Sequence, residues 1–167
     1  PHKETHMASP SNGGIIGKSN NASFGKNILS SATASGTVVT TGPLTREITA
    51  LIVAGGGGAP GERGGGGGAG GVREFDIPTS GCVAITATIG GGGPGSPGGV
   101  GTSGTDTTMV VCGTTYTSEG GGRGGFETCA AATGGSGGGG ATTGCAPGAA
   151  GNTPPQPGNS GNAGGQG

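Results

Sequence analysis

The chain has 167 residues, enough for one domain. Only 28% are hydrophobic, Trp is absent, and the aromatics are Phe24, Phe75, Tyr116 and Phe126, which excludes a large conventional core. A net charge of −1 with 9% charged residues excludes the clustered Lys and Arg that neutralise phosphates in nucleic-acid binding.

Gly 48 and Pro 11 make about 35% of the chain, a composition typical of low-complexity or fibrous sequence. The bias is uneven, because six glycines precede Gly55 and the other 42 follow from there. Collagen requires glycine at every third position, and the runs Gly64 to Gly68 and Gly137 to Gly140 break that period. No apolar run approaches the roughly 20 residues of a membrane span, and no signal-peptide apolar region is present. We therefore expect neither nucleic-acid binding nor membrane insertion.

In chain order, PHKETHMASPS at the N-terminus is polar and without periodicity. His2 and His6 have a helical metal-binding spacing, but the flanking prolines and the lack of helical pattern favour a solvated arm. Gly13 to Ser19 (GGIIGKS) resembles a phosphate-binding loop, yet Asn12 stands where the first glycine is required and no strand precedes it. Asn21-Ala22-Ser23 fits a glycosylation acceptor, a pattern too short to carry weight alone.

Alternation sharpens at Leu44. Leu44, Arg46, Ile48, Ala50 and Ile52 alternate with Thr45, Glu47, Thr49, Leu51 and Val53, so both faces turn apolar and a strand entering a buried position is expected over Leu44–Ala54. Phe75, Ile77 and Pro78 form a short second run, and Ser80-Gly81 supplies a turn. Over Cys82–Ile89, Val83, Ile85, Ala87 and Ile89 share one face, the clearest half-buried strand of the chain. Thr107 to Cys112 and Thr114 to Thr117 predict a hairpin around Gly113. Leu51, Val53, Ile85 and Ile89 are expected in this scaffold or between subunits, and Glu62-Arg63 at an exposed loop tip.

From Thr128 to Gly167 there is neither charge nor a large apolar side chain. Glycine loses the most backbone entropy on folding, so composition alone predicts disorder. The alternative is an extended helix of three residues per turn, whose outward N–H and C=O groups bond to like helices packed beside it. The expected fold class is mainly β, with extended polyglycine-II-like (polyproline-II-like) glycine tracts and no substantial α-helix. Three parts are expected: a polar arm or lead-in over 1–43, a β scaffold with glycine-rich loops over 44–127, and an uncharged Gly/Ala/Thr/Pro-rich tract over 128–167 that continues in a longer chain.

Ile48 to Gly58 (ITALIVAGGGG), Gly64 to Val72 (GGGGGAGGV), Val83 to Gly93 (VAITATIGGGG) and Asn162 to Gly167 (NAGGQG) are strand-to-glycine junctions and a closing glycine element. In these the chain resembles the glycine-rich domain of bacteriophage tail-fibre and virion appendage proteins, over about Ile48 to Gly167 and more weakly over Gly14 to Asn27. The resemblance implies adhesin-like sandwiches of polyglycine helices, a virion or extracellular location, and a role in assembly or host-surface recognition. It also implies partners: other virion proteins through the N-terminal arm, and a host-surface glycan or outer-membrane protein. Cys82, Cys112, Cys129 and Cys145 depart from the family pattern.

The four cysteines allow three pairings. Without C-x-x-C spacing or nearby His, a zinc site is not expected. Cross-links would steady a chain with so small a core, and we expect at least one disulfide among the four. Ser-His-acid chemistry lacks a scaffolded His, and a carboxylate pair lacks an apolar pocket. No enzyme activity or cofactor is therefore expected, and Asp106, Glu119 and Glu127 read as solvated loop charges. Tyr116, Arg123 and Phe126 are the candidate surface-binding residues, suited to stacking on sugar or peptide; the competing reading has Tyr116 and Phe126 capping the scaffold. Too few large side chains to cover both strand faces imply self-assembly, as a trimer or a repeating array. An extracellular glycine-rich matrix or filament protein and an ice-binding glycine-helix bundle are the alternatives.

Overall fold

In a computed structural model of the chain, residues 32–142, 147–155 and 161–166 are described. Six strands form among them: β1 (Thr37–Thr40), β2 (Glu47–Val53), β3 (Val72–Pro78), β4 (Ala84–Thr88), β5 (Thr107–Val111) and β6 (Thr114–Ser118). The described residues contain no α-helix, so the mainly β class holds. His2, His6, Gly13 to Ser19, Asn21, the 14–27 lead-in and Cys145 lie outside them.

The strands make two antiparallel sheets, one in the order β1-β4-β5-β6 and one of β2 with β3. β1 falls within the stretch expected to be a polar arm. Val38 and Val39 are too short a run to signal a strand, and it is pairing of Val39 with Ile85 on β4 that recruits it. The scaffold thus begins earlier than residue 44.

The period-2 pattern puts Ile48, Ala50 and Ile52 of β2 inward and Thr49, Leu51 and Val53 outward. Ile52, Ile77, Met109 and Val111 form the core, with Ile48, Ala50, Phe75, Val83, Ile85 and Tyr116 packed against it. β2 faces β5 and β6, which closes the two sheets on each other. The expectation that both faces of Leu44–Ala54 are buried is corrected: Leu51 is 68% exposed and Val53 52% exposed. A two-stranded sheet has only its inner face covered here, so the outward apolar residues stay at the surface.

β5 and β6 are joined by Cys112-Gly113, between the closing pair Val111 and Thr114. Both loop residues have positive φ, 50° and 78°, the geometry that matches strand twist in a two-residue hairpin. The hairpin expected around Gly113 is present.

Each strand end empties into glycine. β2 runs out through residues 54–60 and the chain returns through 64–71 into β3; β4 runs out through 90–97 and returns through 101–106 into β5; β6 runs out through 119–125. The chain then passes back and forth through 130–134, 135–141, 147–152 and 161–166. The glycine-rich segments between the strands and the described parts of the C-terminal tract are therefore extended members of one bundle, as the expected fold class has them and not as the disorder that composition alone predicts.

Candidate functional site

The bundle is held by backbone hydrogen bonds that repeat every third residue. Gly65, Gly68 and Gly71 donate their N–H groups to the carbonyls of Gly125, Gly122 and Glu119 at 2.8, 2.7 and 2.7 Å. Gly55 and Gly58 donate to Thr105 and Thr102, while Ala54 and Gly57 turn the other way and donate to Gly71 and Gly68. Gly121 and Gly124 donate to Gly55 and Gly58, and Gly122 and Gly125 to Ser136 and Gly139. A three-residue period with partners on several sides is the signature of extended helices of three residues per turn, which leave no bond within the strand itself.

These pairings arrange the tracts in three staggered rows. The first holds 90–97, 54–60 and 64–71; the second 101–106, 119–125, 135–141 and 161–166; the third 130–134 and 147–152. Tract 119–125 lies at the centre, bonded to 54–60, 64–71, 101–106, 130–134 and 135–141. Among the described residues from Gly120 to Ala141, every buried position is glycine apart from Ala141.

Glycine is required here because the backbones touch. A Cβ on Gly55 would run into the Gly91 carbonyl, on Gly57 into that of Gly122, on Gly122 into that of Ala132, and on Gly138 into that of Arg123. Gly66, Gly98 and Gly165 differ, since a Cβ there meets nothing within 4 Å. Side chains are thus confined to the outer faces and to the turns.

The turns at the end away from the strands form a common tip. Pro60 bridges Ser96, and Thr142 Oγ1 donates to the Arg63 carbonyl at 3.2 Å. Phe126 and Cys129 exchange backbone bonds of 2.9 and 2.7 Å across Glu127-Thr128. Glu62 and Arg63 are exposed, with Arg63 at φ 62°, as expected of a loop tip. The sequence reading passed over Ser96, Pro97 and Thr142. Its available signal was the turn chemistry of APGERG and GPGSPGG, two Pro-Gly turns that both reverse a glycine tract.

The three candidate binding residues do not come together. Tyr116 packs edge-on to Phe75, ring centroids 5.0 Å apart and planes at 63°, and belongs to the core layer. Phe126 lies at the tip, separated from β6 by about 25 Å of tract at about 3.1 Å per residue. Arg123 is half-buried one turn before it, and its N–H donates to Ser103 Oγ at 3.1 Å. Among the described residues the guanidinium over a ring is that of Arg73, 4.6 Å from the Phe75 centroid. Tyr116 thus caps the scaffold, leaving Phe126 and Arg123 near the tip.

Glu119 is corrected as well. It is not a solvated loop charge but 7% exposed, with Oε1 3.8 Å from Arg73 Nη1. Arg73 also donates to the Thr117 carbonyl at 2.6 Å, so one guanidinium ties the strand layer to the first residue of the central tract. Asp106 and Glu127 are exposed as expected, although Asp106 Oδ1 accepts the Gly120 N–H at 2.8 Å. Cys82, Cys112 and Cys129 are free and exposed. Cys82 and Cys112 occupy turn positions with φ 52° and 50°, which places them for the turns rather than for each other, and no disulfide joins any two of these three.

No curated protein and no solved structure matches the chain. The family model for a glycine-rich domain matches residues 32–167, from just before β1 through the last tract. The chain therefore belongs to the glycine-rich domain family.

Proposed function

We propose that the chain is a non-enzymatic structural protein of a phage virion appendage, a tail fibre, spike or related part, whose tip contributes to assembly or host-surface recognition. The observation that carries this reading is the bundle itself: a body of closely packed, cross-bonded glycine tracts that holds several turns at one end. Binding loops positioned by a rigid scaffold are the usual vehicle of recognition. Here the turns offer Glu62, Arg63, Phe126, Glu127 and Thr128, a mixture of charge, aromatic face and hydroxyl suited to a glycan or an outer-membrane protein.

A matrix protein whose glycine supplies extensibility is less well supported, because the tracts are cross-bonded at every third residue rather than free to stretch. An ice-binding bundle would need a flat face of regularly spaced small residues, and the tracts differ in length. The test is adsorption of fluorescently labelled protein to a panel of bacteria, with and without the tip variants Arg63→Ala and Phe126→Ala. Saturable binding to a subset of strains, weakened by either variant, is expected. Adsorption to no strain, together with measurable thermal hysteresis, would overturn the reading in favour of ice binding.

A further inference from the structure

Among the described residues, the three rows of tracts leave a lattice position empty beside tract 64–71. Tract 64–71 ends the first row, while the second row extends past it through 135–141 and 161–166. The result is a groove of about 420 Å³ lined by Gly66, Gly67, Gly139, Gly140, Gly165 and neighbouring glycines, with Gln166 at its end. No charged side chain lines it. The N–H groups of Gly66, Gly67 and Gly165 and the carbonyls of Gly67 and Gly140 have no partner among the described residues. Gly66, Gly67 and Gly165 are exposed, so their groups face solvent and are open to a partner. A Cβ on Gly66 or Gly165 meets nothing within 4 Å, so their α-carbons face open space.

We infer that the groove is the seat of one more three-residue-per-turn glycine helix, supplied by tract 161–166 of a second copy. The argument is continuity: within the bundle, tracts that lie side by side are bonded to each other by the same period-three pattern, and the groove offers three such neighbours at once. Tract 161–166 is the natural donor because it ends its row, with Asn162, Ala163, Gly165 and Gln166 exposed.

A two-fold axis parallel to the tracts, passed between tract 161–166 and the empty position, exchanges the two. Each copy then fills the other's groove, and no other lattice position is claimed twice. The neighbours would be tract 64–71 running the opposite way and tracts 135–141 and 161–166 running the same way. Both senses already occur, since 64–71 is antiparallel to 119–125 and 135–141 is parallel to it. The interface is isologous and closed, giving a dimer rather than a filament. It holds whether or not the chain belongs to a virion, so this inference and the proposed function fail separately.

The test uses sedimentation velocity and mass photometry on the whole chain at micromolar concentrations. Wild type is expected to dimerise. Gly66→Leu and Gly165→Leu, made separately on opposite walls, should each weaken association by at least about tenfold while leaving the melting transition of the monomer in place. Gly92→Leu, on the far edge of the bundle, should dimerise as wild type does. A wild type that stays monomeric overturns the inference, as does a dimer that tolerates both groove variants or an assembly other than a dimer. A monomer that instead binds a labelled oligoglycine peptide, by fluorescence anisotropy, would overturn the second copy as the occupant.

Discussion

Replacing Gly122 with Ala tests the lattice at its centre. Gly122 donates to the Ser136 carbonyl at 2.9 Å and accepts from Gly68 at 2.7 Å. Its new methyl would fall on the Ala132 carbonyl, and no real Cβ settles closer than 3.0 Å to such an atom. Tract 119–125 must then shift, stretching both bonds of Gly122 and the flanking donations of Gly121 to Gly55 and of Gly124 to Gly58. At a net ~0.5 to 1.5 kcal/mol each, four weakened bonds cost roughly 2 to 6 kcal/mol. The alanine returns only about 0.4 to 1 kcal/mol by restricting the unfolded chain. For a chain of this size a kilocalorie moves Tm by about 2 to 4 °C, so Gly122→Ala should lower it by roughly 10 °C or prevent folding. Gly92→Ala is the matched control. Its Cβ would lie 3.7 Å from the Gly56 carbonyl oxygen, an ordinary contact, and only the unfolded-state term remains, raising Tm by about 1 to 3 °C. Differential scanning calorimetry of both variants decides the matter. Equal losses of Tm, or a Gly122→Ala melt within a degree of wild type, would refute the claim that glycine is there to let backbones touch.

Arg73→Ala should destabilise by about 3 to 5 kcal/mol, because it leaves the Glu119 carboxylate buried beside an unpaired carbonyl; the double variant Arg73→Ala/Glu119→Gln should recover part of the loss in urea titrations. Tyr116→Ala should cost about 3 to 5 kcal/mol as a core truncation, whereas Phe126→Ala at the tip should cost under about 1 kcal/mol while weakening adsorption; comparable stability losses would place both rings in the scaffold. In folded protein under non-reducing conditions, Cys82, Cys112 and Cys129 should all react with a thiol reagent without denaturant, as their exposure requires. Protection of any of them, read by mass spectrometry of labelled peptides, would contradict their free state.

Much of the strand layer was legible because side chains announce it. The alternation of Val83, Ile85 and Ala87 gives β4 its inner face, and the Gly113 turn gives the hairpin. β1 was not legible, since Thr37–Thr40 has no period of its own and exists through pairing with Ala84 to Ala87. The glycine tracts posed a different difficulty. A Gly-Gly-Gly-Gly run has no face, so no pattern in residues 134–140 tells which carbonyl will receive Gly137 and which Gly139. That information sits in where the turns fall: Pro60-Gly61, Pro97-Gly98 and the Phe126–Cys129 turn set the length of each pass, and length sets the register. The period of three was recognisable in principle from the physics of a chain without side chains, yet the three rows emerge only when every tract is in place.

The candidate site was legible to a lesser degree, for a related reason. Tyr116, Arg123 and Phe126 are close in sequence, but a three-residue-per-turn helix advances about 3.1 Å per residue, against 1.5 Å for an α-helix. Ten residues of separation that a compact loop would fold together are therefore spread along the bundle, and Tyr116 is left in the core while Phe126 reaches the tip. The same extension explains why distant stretches meet: Arg63, Ser96, Phe126 and Thr142 share one end because each tract spans the bundle in a single pass. A lattice whose interior refuses a Cβ has to carry its side-chain chemistry on turns and outer faces. The length of the tracts, rather than any local motif, thus decides which residues can act as one surface. Shortening one pass by a full turn, for example by removing three of the residues from Gly64 to Gly68, should keep the period of three in the remaining tracts while removing one turn's bonds and drawing the Pro60–Arg63 turn back from the tip. Adsorption would then fall, and the bonds lost with that turn would lower Tm by several degrees while the melt stays cooperative; loss of the cooperative melt instead would mean that the turn, and not the repeat, holds the register.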